Sequence, residues 1–443
     1  GASIPVLAAG LAGAALLRWR ACAAGRGASA CRPLAMAIGR GPQAAPAIRP
    51  GFLELPSKFV IGVATAAYQV EGAAAEGGRG RSIWDDFSRT KGRTADGATG
   101  DVACDQYHLF RQDVALMSRL GLQAYRFSIS WSRLFPAGEG RLNEDGVRYY
   151  SDLIDALLSE GITPWVTLYH WDLPSALERD IGGWLGPKKY MTAAFAEYAR
   201  TCFKLFGDRV KHWITLNEPW CSAVLGHGYG IHAPGRAARS EVYLVGHNLL
   251  LAHAEAVRIY RDEFAPSQGG RIGISFNVDW RQPFDPESAG DREAAQRGVD
   301  FWLGWFADPI YFGDYPATLR AAIGDGLPRF TAEERALLKG SSDFFGINSY
   351  GAAFATNPFL GLSLPLPGYD TFAGVKLEED PAWEKTDFGW SIVPWAFREL
   401  LLYIQKRYQP AGGIYITENG CALEPEASKA LDRRPGALVP RPA

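Results

Sequence analysis

Residues 124–128 read Ala124-Tyr-Arg-Phe-Ser128, and residues 163–168 read Thr163-Pro-Trp-Val-Thr-Leu168. Between them Tyr149, Leu153, Leu157 and Leu158 recur at helical spacing. Short runs rich in apolar residues suit strands covered on both faces, and the 3.6-residue period marks an amphipathic helix. Strand, helix and strand in this order form a parallel unit with its helix outside the sheet. The same pattern extends in both directions. Further candidate strands are Phe59–Ala64, His212–Leu216, Arg271–Ser275, Phe344–Asn348 and Gly413–Thr417. Helical periodicity returns at Phe110, Val114, Met117 and Leu120, and again at Val393, Phe397, Leu401, Ile404 and Tyr408. Seven alternating units predict an α/β fold, a (β/α)8 TIM barrel. No GxGxxG follows the first strand, which disfavours a dinucleotide-binding sheet. After Thr417 no further strand or helix pattern appears, and residues 433–443 are rich in Pro and Arg. The expectation is a barrel lacking the C-terminal eighth β/α unit.

The 443 residues are 47% hydrophobic and 21% charged, the composition of a globular protein. A net charge of −2 gives no basic footprint for nucleic acid. Six scattered cysteines show neither CxxC nor zinc spacing, so neither a disulfide framework nor a metal is expected. No organic cofactor signal is present. No run of 18 apolar residues suggests a membrane span. Charge is unevenly spread: residues 1–53 hold six Arg but no Lys, Asp or Glu. The apolar stretch from Pro5 to Leu17 precedes Arg18 and Arg20, the reverse of a secretory signal. That composition suits an organelle-targeting leader. The expected organisation is a leader over 1–50, the barrel over 51–422 and an irregular tail over 423–443.

Active-site residues of such barrels sit at the C-terminal ends of the strands. The polar residues closing the apolar runs are therefore the candidates. Strand four ends Trp213-Ile-Thr-Leu-Asn217-Glu218-Pro219, and strand seven ends Ile414-Tyr-Ile-Thr417-Glu418-Asn-Gly420. Two glutamates at one rim suit glycoside hydrolysis, which needs one protonated and one ionised carboxyl group. Arg126 is placed to keep one of them ionised. Gln69, His170, Asn217 and Asn348 offer neutral groups for sugar hydroxyls, and Trp171 an apolar face. Read singly, Asn-Glu-Pro is more often a helix start and Glu-Asn-Gly a turn. His247 and His253 fall in a helical pattern without HExxH spacing and are read as structural.

Taken in order, the motifs carry more. They include Phe59-Val-Ile-Gly-Val-Ala-Thr-Ala-Ala-Tyr-Gln69-Val-Glu-Gly72, Arg126-Phe-Ser-Ile-Ser-Trp131, Tyr169-His170-Trp171-Asp-Leu-Pro174, Thr215-Leu-Asn217-Glu218-Pro219 and Ile416-Thr-Glu418-Asn-Gly420. From Phe52 to about Ala422 the chain resembles glycoside hydrolase family 1, the β-glucosidase family. The resemblance implies a retaining β-glycosidase, with Glu218 as general acid/base and Glu418 as nucleophile about 5–5.5 Å apart. It implies sugar-binding roles for Gln69, His170 and Asn217, a site-lining role for Asn348, and support of the nucleophile by Tyr350 and Arg126. A Glu at 218, where the plant thioglucosidase branch has Gln, favours O-glycosides. The family's eighth-strand Trp and Glu-Trp platform has no counterpart after Glu418. Two other readings stay open: a truncated, non-catalytic sugar-binding or inert member, and a transglycosidase acting on a glycolipid.

Overall fold

A computed structural model describes residues 55–357 and 369–422. The expected leader (1–50) and tail (423–443) lie outside the described residues. The described residues form ten strands: β1 Gly62–Ala64, β2 Ala124–Ser128, β3 Thr163–Tyr169, β4 His212–Asn217, β5 Arg271–Asn277, β6 Trp280–Pro283, β7 Phe345–Asn348, β8 Ala352–Thr356, β9 Lys376–Glu378 and β10 Ile414–Glu418. Seven form a parallel sheet in the order β1-β2-β3-β4-β5-β7-β10. Helices alternate with these strands, as in a TIM barrel. The remaining three, β6-β8-β9, make a small sheet beside the rim, which the sequence pattern did not predict.

The strands form where they do because helices bury their outward faces. All five residues of β2 are buried. The helix Val242–Ile259 is apolar on nearly every side and buried almost throughout. Its His253 bridges the Thr215 hydroxyl on β4 (2.6 Å) and the Ser341 hydroxyl (3.1 Å). His247 meets the Tyr315 hydroxyl at 3.0 Å. Both histidines thus stitch helix to neighbour. Gly346 lets β7 approach β5, since a Cβ there would lie 2.5 Å from the Ile274 carbonyl oxygen.

Strand β1 is shorter than the predicted Phe59–Ala64. Phe59, Val60 and Ile61 stay outside it and are exposed. The reason is its position: β1 pairs only with β2, and β10 only with β7, so each keeps one outer edge unpaired among the described residues. A strand with one partner is held by half the usual ladder and frays readily.

Two features aim the rim. The register of β4 against β5 shifts between Ile214 and Asn217, and that of β10 against β7 shifts between Ile416 and Glu418. Such irregularities re-aim side chains at strand ends. The loop after β1 is anchored from below: the Ala67 N–H donates to the Ser128 hydroxyl at 2.7 Å. Glu71 accepts from Arg133 Nε (2.9 Å) and from the Tyr150 hydroxyl (2.6 Å), all buried. Gln69 rides on this clamped segment.

Candidate active site

A cavity of about 1080 Å³ opens at the C-terminal rim of the barrel. Gln69, Arg126, His170, Trp171, Glu218, Asn348, Tyr350 and Glu418 all line it. It also runs down the barrel interior to Thr163, Trp165 and His212, passing both β1 and β10.

Glu418 closes β10. Its carboxylate accepts from Arg126 Nη1 at 2.6 Å and from the Tyr350 hydroxyl at 2.8 Å. Arg126, buried on β2, is itself fixed by the Thr167 hydroxyl, the Thr417 carbonyl and Asn217 Oδ1. Burial alone would raise the Glu418 carboxyl. The adjacent Arg126 charge and the donated hydrogen bonds outweigh it and hold the group below its ordinary value.

Glu218 follows β4 in a left-handed backbone conformation, φ 48°, rare for a residue with a side chain. Its N–H donates to the Ser275 carbonyl oxygen on β5 at 2.9 Å, which holds that conformation in place. One carboxyl oxygen accepts from Asn348 Nδ2 at 2.7 Å and the other from the Cys221 thiol at 3.1 Å. Burial, and then the Glu418 charge, push this carboxyl up to about 8, against the smaller opposing pull of those two donors. The rim therefore holds one carboxyl group kept ionised and one kept protonated near neutrality.

Asn217 joins the two halves. Its Oδ1 accepts from Arg126 (2.6 Å) and from Asn348 (3.0 Å), and its Nδ2 meets His170 Nε2 at 3.0 Å. Nδ2 can only donate, so Nε2 accepts and the His170 proton sits on Nδ1. Burial lowers this imidazole to about 3, leaving it neutral. The buried Nδ1–H has no protein acceptor. Trp171 also lines the cavity. Its Nε1 donates to the Asn217 carbonyl at 2.9 Å, and its ring packs against Trp84 and His232. Asn348 stands on the same wall. Its amide is spent on Asn217 and Glu218, and its carbonyl accepts from the Thr417 hydroxyl at 2.6 Å.

Several lining residues were not anticipated: Asn277, Asp279, Arg281, Trp302, Phe388 and Trp390. Cys221, just behind the wall, was missed as well. Asn277 obeys the same rule that found the others, a polar residue closing an apolar strand, but β5 runs two residues beyond the predicted Ser275. Among the described residues no group of His, Cys, Asp and Glu has the arrangement of a metal site. No described helix is long and apolar enough to cross a membrane.

Residues 53–433 match the family described as glycosyl hydrolase family 1. The chain is 48% identical over 399 residues to β-glucosidase 1B of Phanerodontia chrysosporium, covering 86% of this chain and 71% of that protein. It is 44% identical over 405 residues to raucaffricine-O-β-D-glucosidase of Rauvolfia serpentina, covering 83% and 74%. Among solved structures, a rice β-glucosidase mutant in covalent complex with Glc superposes with a TM-score of 0.81 at 45% identity, covering 85% of this chain and 82% of that one. A Humicola insolens β-glucosidase in complex with glucose gives 0.80 at 45% identity, covering 86% and 82%. The family match continues past β10 to residue 433, so it lends no support to the expected stop before an eighth unit.

Proposed function

Because the chain belongs to glycosyl hydrolase family 1 and is a retaining β-glycosidase on a (β/α)8 barrel, we propose that Glu218 is its general acid/base and Glu418 its nucleophile. The observation that carries this assignment is the opposed setting of the two carboxyl groups. Glu418 is charge-paired with Arg126, while Glu218 is buried and, among the described residues, forms no ion pair. In the first step Glu218 protonates the leaving oxygen as Glu418 attacks the anomeric carbon. The glycosyl group is then held covalently on Glu418. Glu218, now ionised, takes a proton from water, which attacks the same carbon and releases the sugar.

Arg126 and Tyr350 position Glu418 in this scheme. Gln69 and His170 through Nδ1–H meet sugar hydroxyls, and Asn217, its amide engaged by Arg126, Asn348 and His170, offers them its remaining N–H. Trp171 acts by holding the Asn217 backbone, and Asn348 by orienting Glu218 rather than by binding sugar directly. On the fold, we read residues 55–422 as carrying seven of the eight β/α units, a reading supported by the unpaired outer edges of β1 and β10. An inert or glycolipid-transferring role has no observation in its favour.

The test is hydrolysis of p-nitrophenyl β-glucoside by the chain beside Glu418→Gln. Turnover that disappears in the variant is expected. Turnover that persists overturns the assignment of the nucleophile.

A further inference from the structure

The leaving group departs on the Glu218 side of the cavity, because Glu218 is the group that protonates its oxygen. That side carries a cation the proposed reaction does not use. Arg281, on β6, lines the cavity and is only 3% exposed. Its methylene arm lies against Gly298, where a Cβ would come within 3.1 Å of Arg281 Cγ. Its guanidinium carbon sits 4.7 Å from the centre of the Trp302 ring. Trp302 in turn stacks on Trp220 at 4.5 Å, and Trp220 is two residues beyond Glu218. Arginine, tryptophan and tryptophan thus form a stack that leads back to the acid.

The five N–H donors of this arginine are almost unused. The protein acceptor it meets is the Trp280 carbonyl, at 3.5 Å from Nη1, the outer limit of a hydrogen bond. Two neighbouring carboxylates, Asp279 and Glu379, act on Arg281 by charge, but neither forms an ion pair with it. Asp279 Oδ1 accepts from the backbone N–H groups of Tyr350 (3.0 Å) and Gly351 (2.9 Å). Glu379 pairs with Lys385. Among the described residues none forms an ion pair with Arg281. Burial correspondingly pushes its guanidinium below the ordinary value. A buried guanidinium with free donors is matched by a planar carboxylate, which accepts two parallel hydrogen bonds.

We propose that Arg281, held against Trp302, is a leaving-group subsite for β-glycosides whose aglycone carries a carboxylate. The proposal rests on the glycosidase reading and on the placement of Glu218 as acid. It names a substrate class for this cavity: glycosides of acidic, ring-bearing alcohols or phenols, with exposed Phe388 and half-buried Trp390 supplying apolar surface at the same cavity.

The experiment compares 4-carboxyphenyl and 4-carbamoylphenyl β-glucoside, which differ in charge but hardly in shape. The ratio of their kcat/KM values is measured for the wild type, Arg281→Gln and Arg281→Lys. The intrinsic reactivities of the two phenols cancel when ratios are compared between proteins. Loss of a charge-assisted pair should lower the ratio about ten- to a hundredfold in Arg281→Gln. Arg281→Lys should recover part of it. The same ratio in all three proteins overturns the subsite. Should the variants not fold, wild-type inhibition by the two unhydrolysed 1-thio-β-glucosides decides. Tighter binding of the carboxylate that weakens with added salt supports the subsite, and equal inhibition constants overturn it. Absence of turnover of both O-glucosides by the wild type overturns the glycosidase reading itself, a result distinct from equal turnover of both.

Discussion

At the scale of single residues, the site works by giving two like groups unlike surroundings. Glu418 must be ionised to attack, and its carboxyl is held below the ordinary value by Arg126. Glu218 must be protonated to donate, and burial raises it to about 8. The expected pH profile of kcat/KM is therefore a bell. It rises through an acid limb below the usual glutamate range and falls through an alkaline limb near 8. A profile already falling at pH values near 5 would contradict the assignment of Glu218 as acid. Cys221 offers a sharper check. Burial keeps its thiol protonated, so it can only donate to Glu218 Oε2, and Asn277 Nδ2 in turn reaches its sulfur at 3.3 Å. A donated hydrogen bond favours the ionised carboxylate and lowers its pKa. Cys221→Ala should therefore move the alkaline limb to higher pH, whereas Cys221→Ser, which keeps a donor, should not. A limb unmoved by the alanine substitution would reduce Cys221 to packing. Replacing Glu218 by Gln should cost about 10²–10⁴-fold in kcat on substrates whose leaving group needs a proton. Activated leaving groups, which need less help, should lose less, and equal losses for both would count against general acid catalysis.

At the scale of elements, the clamp beneath Gln69 has its own energetics. Glu71 and Arg133 are buried together, with Tyr150 and the Gly72 carbonyl completing their hydrogen bonds. Removing one partner of a buried pair strands the other charge, typically at about 3–5 kcal/mol. Glu71→Gln should lower unfolding free energy in urea by about that amount. A companion Arg133→Met change should recover much of the loss. A destabilisation below about 1 kcal/mol would place the pair in better contact with water than its burial indicates. The same clamp shows what the sequence could and could not disclose. Strands β2 to β5 and β7 were legible because helices bury their outward faces, so burial writes itself into the residue types; β10 was legible from its β-branched and aromatic residues, although Thr417 alone in it is buried. Their closing polar residues, Asn217, Glu218 and Glu418, were legible by the same rule. Glu71 stood in a motif but gave no sign that its partner was Arg133, 62 positions away. Asn277 was missed because a polar strand end blurs into loop when the alternating signal is weak. Arg281 and Trp302 were invisible, since β6, β8 and β9 are short and meet only through tertiary packing. Tyr350 was recoverable through family resemblance alone, its hydroxyl reaching Glu418 from a loop beyond β7.

At the scale of the whole molecule, the seven strands of the described residues wrap most of a circle and leave, among those residues, a seam between β1 and β10. Hydrogen bonds fix which backbone groups face it. Gln123 N–H donates to the Ile61 carbonyl and Thr65 N–H to that of Arg126, so odd-numbered residues of β1 face β2. Gly62 and Ala64 consequently point their N–H groups into the seam. On β10, Phe345 N–H donates to the Gly413 carbonyl, which leaves Ile414 and Ile416 facing outward on the other side. Apolar side chains gather there as well, with Phe59, Val60, Ile61, Val63 and Ile416 all exposed. The catalytic rim depends on this seam, because β10 carries Glu418 and, among the described residues, pairs as a strand with β7 alone. Besides that ladder, β10 is held at its end by Arg126 of β2, which donates to the Thr417 carbonyl and to Glu418, and by its preceding helix, Pro394–Tyr408, whose Arg407 and Tyr408 grip Asp308 at 2.6 and 2.8 Å. Native-state hydrogen exchange resolves how much this suffices. Outward amides at Gly62, Ala64, Ile414 and Ile416 should open with a free energy near zero, as fraying edges do, while those of β3 and β4 open only with global unfolding. Full protection of the outward amides would mean that another strand or a second copy of the chain covers the seam in solution. Intermediate protection on β10 with none on β1 would show that side-chain ties, Arg126 to Thr417 and Glu418 and the helix to Asp308, rather than strand pairing, keep the nucleophile in register.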